Sequence, residues 1–376
     1  MTTGNRSSLG RLFHGETAVD FYGRRRRGFT VSLVLLVLSV VSLFARGLDL
    51  GLDFEGGVAW QVPATASMDA DIARDVLREN GLDPANAKIQ KLSNASEETI
   101  RVQVAGQPAD VVDAVQKSLA EAASVSSEDV SVTSVSSSWG RAITEKAIRA
   151  LVIFLVLVTI YISWRFEWRM AVAAIAAMAH DVVISVGVYS VLQFEVTPAT
   201  VVAFLTILGY SLYDTIVVFD KVQDNVKSFS GTRTPIADIV NVSTNQVLMR
   251  SINTSVSSLL PVLSLLILGS GVFGAVTLRE FAIALLVGML TGAYSSLIVA
   301  TPLVALLKQR ETKYASLVGP HSTGDTLRAM VVSGLPTGVR ATRRAEATDG
   351  GPSSGGSDTA TAVLTHPPRP RKKRRR

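Results

Sequence analysis

The sequence contains no cysteine, which excludes a disulfide, a cysteine-ligated metal and a cysteine nucleophile. Histidine is scarce, with four residues, and none are spaced as zinc ligands are. The signatures HExxH and the phosphate-binding P-loop are also missing. These absences argue against a membrane enzyme, and we expect neither a metal nor any other cofactor.

Charged residues are also few, at 18% of the chain against about 25% in ordinary soluble domains. Six apolar runs approach the length of about 20 residues that a helix needs to cross a bilayer. We therefore predict an α-helical polytopic membrane protein. The predicted spans are 29–45, which we interpret as a retained anchor, 143–164, 170–192, 199–219, 252–268 and 281–306.

Basic residues are concentrated in every second loop between these runs, which puts them on one side of the membrane if the runs cross it in turn. One side holds Arg24–Arg27, Arg165, Arg169, Lys221, Lys227, Arg233, Arg250, Lys308, Arg310 and Lys313. The opposite loops carry only Arg279 as a cation. Because cytoplasmic loops are enriched in Lys and Arg, we expect a multi-pass protein of the cell membrane with residues 1–28 and the carboxyl end both cytoplasmic.

Residues 47–139 must then lie outside the cytoplasm. Segments with strand-like alternation and helix-like spacing follow each other there in the order βαββαβ. This order is the ferredoxin-like pattern. We predict a small extracytoplasmic α/β domain, with the five remaining spans in 143–307.

The segments that we predict to be cytoplasmic are polar. Residues 222–248 form a loop in which a short amphipathic helix can begin after Pro235. Residues 314–376 are rich in Gly, Ser, Thr and Arg, and we expect a disordered basic cytoplasmic tail. The block Arg371–Arg376 reads as topogenic charge that can touch anionic membrane lipids, and we expect no nucleic acid as a partner.

Charged groups inside a span are costly and mark functional sites by default. Asp214 lies inside the fourth run, where apolar burial disfavours a charged carboxylate and a nearby cation favours it. It is either a proton carrier or a structural carboxylate. Arg250 is either its partner or a topology-setting residue whose side chain reaches back to the interface.

Other polar residues of the spans leave their alternatives open. His180 and Asp181 form either a proton relay or a satisfied hydrogen-bonding pair in the third run, and Thr254 serves helix packing or a relay. Asp220 reads as interfacial, though a relay role stays possible. Gly288 and Gly292 form a GxxxG pattern that allows close helix contact.

The segment after the first run is rich in glycine. Asp53, Phe54, Gly56 and Gly57 belong to the motif GLDFEGG, where the first span meets the outside domain. Glycine permits backbone angles that other residues avoid, so we predict a hinge motif at this junction.

Four ordered motifs resemble the SecD/SecF family of protein-export membrane proteins. They are Gly51-Leu52-Asp53-Phe54-x-Gly56-Gly57, Gly209-Tyr210-Ser211-Leu212-x-Asp214-Thr215, Asn245-x-x-Leu248-x-Arg250-Ser251 and Arg279-x-Phe281-Ala282 with Tyr294-Ser295-Ser296. The resemblance covers about 11–307, and it departs at Tyr213, where many relatives carry Asn.

The resemblance implies a function and partners. Family members pair as SecD with a SecF-type subunit and assist the SecYEG channel and the SecA motor. They use the proton motive force to draw preproteins outward, with the carboxylate at Asp214 and its basic partner at Arg250. The alternative is half of a proton-coupled small-molecule or lipid exporter of the resistance-nodulation-division superfamily. Six spans and one outside domain are half of a transporter built from two repeats, so a partner is expected on either reading.

Overall fold

Within the described residues, six helices are long and apolar enough to cross a membrane, and they dominate the computed structural model, which confirms the predicted fold class. The structure describes residues 17–65, 67–93, 98–272, 276–317 and 321–334. The spans, numbered first to sixth below, are Arg25–Arg46, Ser137–Arg165, Trp168–Leu192, Pro198–Ser228, Ile236–Gly269 and Leu278–Lys308. The fifth ends in π-helical turns (Leu265–Val272), and the sixth contains π-helical turns (Ser296–Ala300) before its last segment Thr301–Lys308.

The spans differ in how much of their surface the chain itself covers. The first and second expose most of their apolar side chains, whereas about half of the third and sixth is buried. In the third span, small residues allow this burial, among them Ala173, Ala174 and Ala177. An added Cβ at Gly288 would lie 2.3 Å from Ile207, and one at Gly292 would lie 2.7 Å from Ser211. These glycines therefore confirm the predicted close contact, which joins the sixth span to the fourth.

The segment between the first two spans is an α/β domain. Its strands are β1 (Asp49–Leu50), β2 (Gly57–Pro63), β3 (Lys88–Ser93), β4 (Glu98–Val104) and β5 (Ser131–Val135), while β6 (Glu195–Val196) follows the third span. Its helices are Leu52–Glu55, Ala70–Glu79 and Ala109–Ala123, with short 3₁₀ turns at Pro84–Asn86 and Ser127–Asp129.

Four of these strands form one antiparallel sheet in the order β3-β4-β2-β5. With the helices Ala70–Glu79 and Ala109–Ala123 between them, this is the predicted βαββαβ arrangement. Trp60 of β2 is fully buried between its partners Val102 and Val132, and it packs in one apolar cluster with Leu77 and Leu119 of the two helices.

A second contact ties the domain to the bundle. Strand β1 pairs in parallel with β6, in the loop between the third and fourth spans. Charged side chains surround this ladder, with Lys88 Nζ 2.7 Å from Asp49 and Arg101 Nη1 3.4 Å from Glu195. The domain is thus held by its chain connections and by a separate ladder.

Two expectations from the sequence need correction at the end of the bundle away from the domain. The helix that begins after Pro235 is not short, because Ile236–Ser264 is continuous and merges with the fifth span. The predicted disordered tail also begins too early, since Thr312–Ala315 and Gly324–Ser333 are helical. The helix Gly324–Ser333 buries Leu327, Met330 and Val331, so its apolar side chains join the core. Residues 335–376 lie outside the described residues.

Candidate functional site

Asp214 lies near the middle of the fourth span and is 7% exposed. The hydroxyl of Ser251, on the fifth span, donates a hydrogen bond of 2.5 Å to its Oδ1. Its Oδ2 is buried and has no hydrogen-bond partner among the described residues. An unpaired buried acceptor is costly, so this carboxyl group is only half satisfied in the structure.

Arg250 precedes Ser251 but points elsewhere. Its Nη2 donates to the hydroxyl of Tyr213 at 3.0 Å, and no ion pair joins it to Asp214 within the described part of the chain. Consecutive residues on a helix are about 100° apart, so neighbours face different directions. The structure therefore brings Asp214 and Arg250 to the same level of adjacent spans without pairing them. The guanidinium group of Arg250 binds the hydroxyl of Tyr213 instead.

Asp181 is a second buried carboxylate, on the third span and 1% exposed. Its Oδ2 accepts from the hydroxyls of Ser211 at 2.5 Å and Ser295 at 2.7 Å, and its Oδ1 lies 3.0 Å from Nδ1 of His180. These partners come from three spans, so Asp181 joins the third, fourth and sixth. Unlike Asp214, both of its oxygens have partners, which fits the hydrogen-bonding alternative.

Two further hydroxyl groups, on the residues that follow Asp214 and Ser295, contact each other. The hydroxyl of Thr215 lies 3.2 Å from that of Ser296 and donates to the carbonyl of Ser211 at 3.2 Å. Ser296 begins the π-helical turns of the sixth span. Such turns are rare and often occur at functional sites, because they leave the regular backbone hydrogen-bonding pattern.

The structure places the other predicted relay residues outside this cluster. Asp220 forms an ion pair of 2.7 Å with Arg165, and both side chains are about two-fifths exposed, in keeping with an interfacial position. The hydroxyl of Thr254 donates to the carbonyl of Arg250 in its own helix at 2.8 Å. Neither residue contacts Asp214.

At the predicted hinge, Gly56 and Gly57 have φ angles of +76° and +134°, which side chains disfavour. A Cβ at Gly56 would lie 2.7 Å from the backbone of Ser137, and one at Gly57 would lie 2.3 Å from the carbonyl oxygen of Val104. The helical turn Leu52–Glu55, which holds Asp53 and Phe54, ends at Gly56. The glycines thus let the domain sheet and the start of the second span approach closely. Motion about this point stays a prediction.

Sequence reasoning did not single out the hydroxyl partners of the two carboxylates. The family motifs do contain these partners, which are Ser211, Ser251, Ser295 and Ser296. Serine in a span is common as a packing residue, however, and its bonding depends on which helix faces it. Only the packing of the bundle identifies these four as the surroundings of the acidic residues.

The fold and the site together define a class of protein. A bundle of six apolar helices with buried carboxylates near the middle of two described spans, and one small α/β domain at one end, is typical of transport proteins, in which such residues mark ion or substrate pathways.

Comparisons with known families agree with this class. The family described as protein export membrane protein SecD/SecF, C-terminal, matches residues 114–310, and the SecD/SecF GG motif matches residues 41–59. The chain is 43% identical over 308 residues to the protein translocase subunit SecF of Streptomyces coelicolor, covering 82% of this chain and 81% of the relative. It is 38% identical over 368 residues to SecF of Mycobacterium tuberculosis, covering 96% and 80% of the two chains.

A solved structure supports the same assignment. The crystal structure of SecDF, a translocon-associated membrane protein from Thermus thermophilus, superposes with a TM-score of 0.70 at 34% identity. The match covers 79% of this chain and only 39% of the SecDF chain. This protein belongs to the SecD/SecF family, among the SecF subunits of the protein translocase, and it is a multi-pass protein of the cell membrane.

Proposed function

We propose that the chain forms a complex with a SecD subunit and uses the proton motive force to assist protein translocation across the cytoplasmic membrane. In this proposal the complex acts with the SecYEG channel after the SecA motor has started a preprotein through it with ATP. Asp214 takes up and releases the proton. Arg250 responds to its charge.

The observation that carries the proposal is the half-satisfied carboxyl group of Asp214. A proton carrier must be stable in two charge states, and a group with one fixed donor and one open oxygen can accept a proton without breaking several bonds. Asp181, with partners on both oxygens, lacks this freedom. The drive is adequate, because one charge crossing 100 mV yields about 2.3 kcal/mol.

An uncovered polar face supports the proposed partner. The fourth span exposes Val202, Thr206, Gly209 and Tyr213, and the fifth exposes Arg250, Asn253, Ser257 and Leu260. The spacing of three or four residues puts each set on one side of its helix. The bond between Tyr213 and Arg250 joins the two sets into one face. Charged and polar groups are costly against lipid, so this face fits a second membrane protein.

The size of the solved relative points the same way. The chain corresponds to about 39% of a SecDF chain, so a separate SecD subunit would supply the remainder.

The test uses inverted membrane vesicles that contain the complex, SecA, ATP and a radiolabelled preprotein. Asp214→Asn keeps the size of the side chain but cannot exchange a proton near neutral pH. We expect the variant to assemble normally and to lose the part of export that a protonophore abolishes in the wild type. Asp220→Asn is the matched control, because it removes a carboxylate of the same helix outside the cluster. If Asp214→Asn vesicles lose export on protonophore addition as the wild type does, Asp214 is not the coupling residue.

A further inference from the structure

The fifth helix begins well before the polar cluster, and its first turns are covered by two other segments of the chain. Residues 236–245 are buried without exception. One covering segment is 17–24, just before the first span, and the other is the helix Gly324–Ser333, after the sixth. Both segments lie at the end of the bundle away from the α/β domain.

Two asparagines hold the first of these segments. Asn245 accepts from the backbone amide of Val19 at 2.8 Å through Oδ1 and donates to the carbonyl of the same residue at 2.8 Å through Nδ2. Asn241, one turn earlier, accepts from the amide of Tyr22 at 2.9 Å and donates to Asp20 at 2.9 Å. We name Asn241, Asn245 and segment 17–24 the amide clamp.

The two asparagines of the clamp are fully enclosed, and the side-chain oxygen and nitrogen of each are paired. Both asparagines are 0% exposed, and burying an amide is costly unless its donors and acceptors are paired. Each side chain uses both its oxygen and its nitrogen on the segment, which fixes where the segment lies along the helix and around it. A purely apolar contact would fix neither coordinate as closely, since it has no direction.

The segment after the sixth span docks on the same helix. The backbone amide and the hydroxyl of Ser322 donate to Asp238 at 2.6 Å and 3.0 Å. Nε2 of His321 lies 2.9 Å from Asp20, which links the two covering segments. Burial alone raises the pKa of Asp20, but hydrogen bonds from His321, the Gly23 amide and Asn241 outweigh this effect and hold the pKa below its usual value. Asp20 is therefore an ionised acceptor at neutral pH.

The clamp is connected to the proton site by one unbroken helix. Asn245 belongs to the motif that also contains Ser251, yet it contacts no residue of the acidic cluster. The two residues are six positions apart, or about 9 Å along the helix axis. The helix Ile236–Ser264 has no break between them, so its depth and rotation at Asn245 determine where the Ser251 hydroxyl points.

We infer that Asn241 and Asn245 are positioning residues for the proton site. They fix the depth and rotation of the fifth helix against segment 17–24, and thereby keep the Ser251 hydroxyl on Asp214. The effect on export rests on the proposed function, whereas the effect on the geometry at Asp214 does not.

The first measurement tests whether the two asparagines hold segment 17–24 in place. Because the chain has no cysteine, Ala18→Cys introduces a single thiol, at a half-buried position of the segment. We expect maleimide to label this thiol at least tenfold faster when Asn241→Ala and Asn245→Ala are also present. Asn86→Ala, an exposed asparagine of the α/β domain, is the control and should leave labelling unchanged. Unchanged labelling in the double variant would show that the amides do not hold the segment.

The second measurement reports the proton site without export. A hydrophobic carbodiimide modifies buried carboxyl groups, and mass spectrometry gives the rate at Asp214. We expect the double variant to change this rate severalfold, with Asp214→Asn as the blank and Asp181 as the internal reference. If the segment is loosened and the rate at Asp214 stays at the wild-type value, the asparagines stabilise the fold without positioning Ser251.

Two further variants guard against misfolding and separate the two proposals. Asn245→Asp keeps the bond from the Val19 amide and loses the bond to its carbonyl, so it should give a smaller change in both rates. Bridging Asp20→Cys to Asn241→Cys with a short bis-maleimide should restore the wild-type rate at Asp214, and no restoration would contradict the inference. Protonophore-sensitive export should fall and recover in parallel. If the wild type shows no such export, the proposed function fails and the two labelling rates still test the clamp.

Discussion

Ser251 donates a hydrogen bond of 2.5 Å to Asp214, and this bond joins the fifth span to the fourth near the middle of both helices. The preceding residue, Arg250, donates to Tyr213 instead. One pair of neighbouring residues therefore serves two sides of the contact. The hydroxyl faces the buried carboxylate, and the cation faces the uncovered side on which we place the partner.

Ser251→Ala should weaken proton coupling while leaving the carboxylate in place. A hydrogen bond to a charged group contributes about 1.5–3 kcal/mol, which corresponds to roughly a 10- to 100-fold change in an equilibrium. We expect a clear loss of protonophore-sensitive export in vesicles. Ser251→Thr keeps the hydroxyl and should retain most of it.

The matched control for this prediction is Ser258→Ala, a half-buried serine of the same helix that lies outside the uncovered face. Equal effects of Ser251→Ala and Ser258→Ala would mean that the loss comes from weakened helix packing and not from the missing donor.

Arg250→Leu should impair export more than Arg250→Lys. Lysine keeps the charge near Asp214 and loses the planar fork that bonds Tyr213, so only part of the function should be lost. The measurement is the same vesicle assay, together with the yield of SecD on copurification. Arg149→Leu, which breaks an exposed ion pair with Glu145, is the control. An Arg250→Leu variant with wild-type export would remove the cation from the proposed mechanism.

The sequence predicted those parts of the fold in which apolar residues follow a regular pattern along the chain. Six apolar runs became six spans, and alternating residues such as Val58, Trp60 and Val62 became a buried strand of the sheet. Charge inside a run also identified Asp214 and Asp181 as buried groups, because a carboxylate in an apolar helix is conspicuous without any knowledge of its neighbours.

What the sequence could not predict depends on which helix faces which. Asp214 and Asp181 look alike in the sequence, and only packing shows that Asp214 has one hydrogen-bonding partner among the described residues and Asp181 has three. The helix Gly324–Ser333 was missed because it is a ten-residue stretch of a long polar tail, in which it buries three residues. Their burial comes from a tertiary contact with the core, which local composition does not encode.

The orientation in the membrane is a separate prediction from the charge of the loops. An alkaline phosphatase reporter fused after Gly106, in the α/β domain, should be active, because this enzyme works only outside the cytoplasm. The same reporter fused after Ser230, between the fourth and fifth spans, should be inactive, and a cytoplasmic reporter there should be active. The reverse pattern at either site would contradict the assignment of the spans.

Gly57→Val should disrupt the junction between the first span, the domain and the second span. A β-branched residue is disfavoured at a φ of +134°, and the backbone strain alone costs on the order of 1–3 kcal/mol. The new Cβ would also lie 2.3 Å from the carbonyl oxygen of Val104, which belongs to the neighbouring strand and cannot move without opening the sheet. Gly56→Val should act in the same direction, through the backbone of Ser137 at the start of the second span.

Two readouts separate a packing role of these glycines from a hinge. Gly106→Val is the control, because no atom lies within 4 Å of its Cβ position and its backbone is unstrained. Gly57→Ala carries only the methyl carbon and should show a milder form of the same defect. If thermal unfolding of the purified complex and export decline together from Gly57→Ala to Gly57→Val, close packing explains the motif. If export falls while the unfolding temperature stays at the wild-type value, the glycines serve a movement of the domain. Wild-type behaviour of Gly57→Val in both assays would contradict the geometry of the junction, because the sheet would then have to accept a side chain for which it has no room.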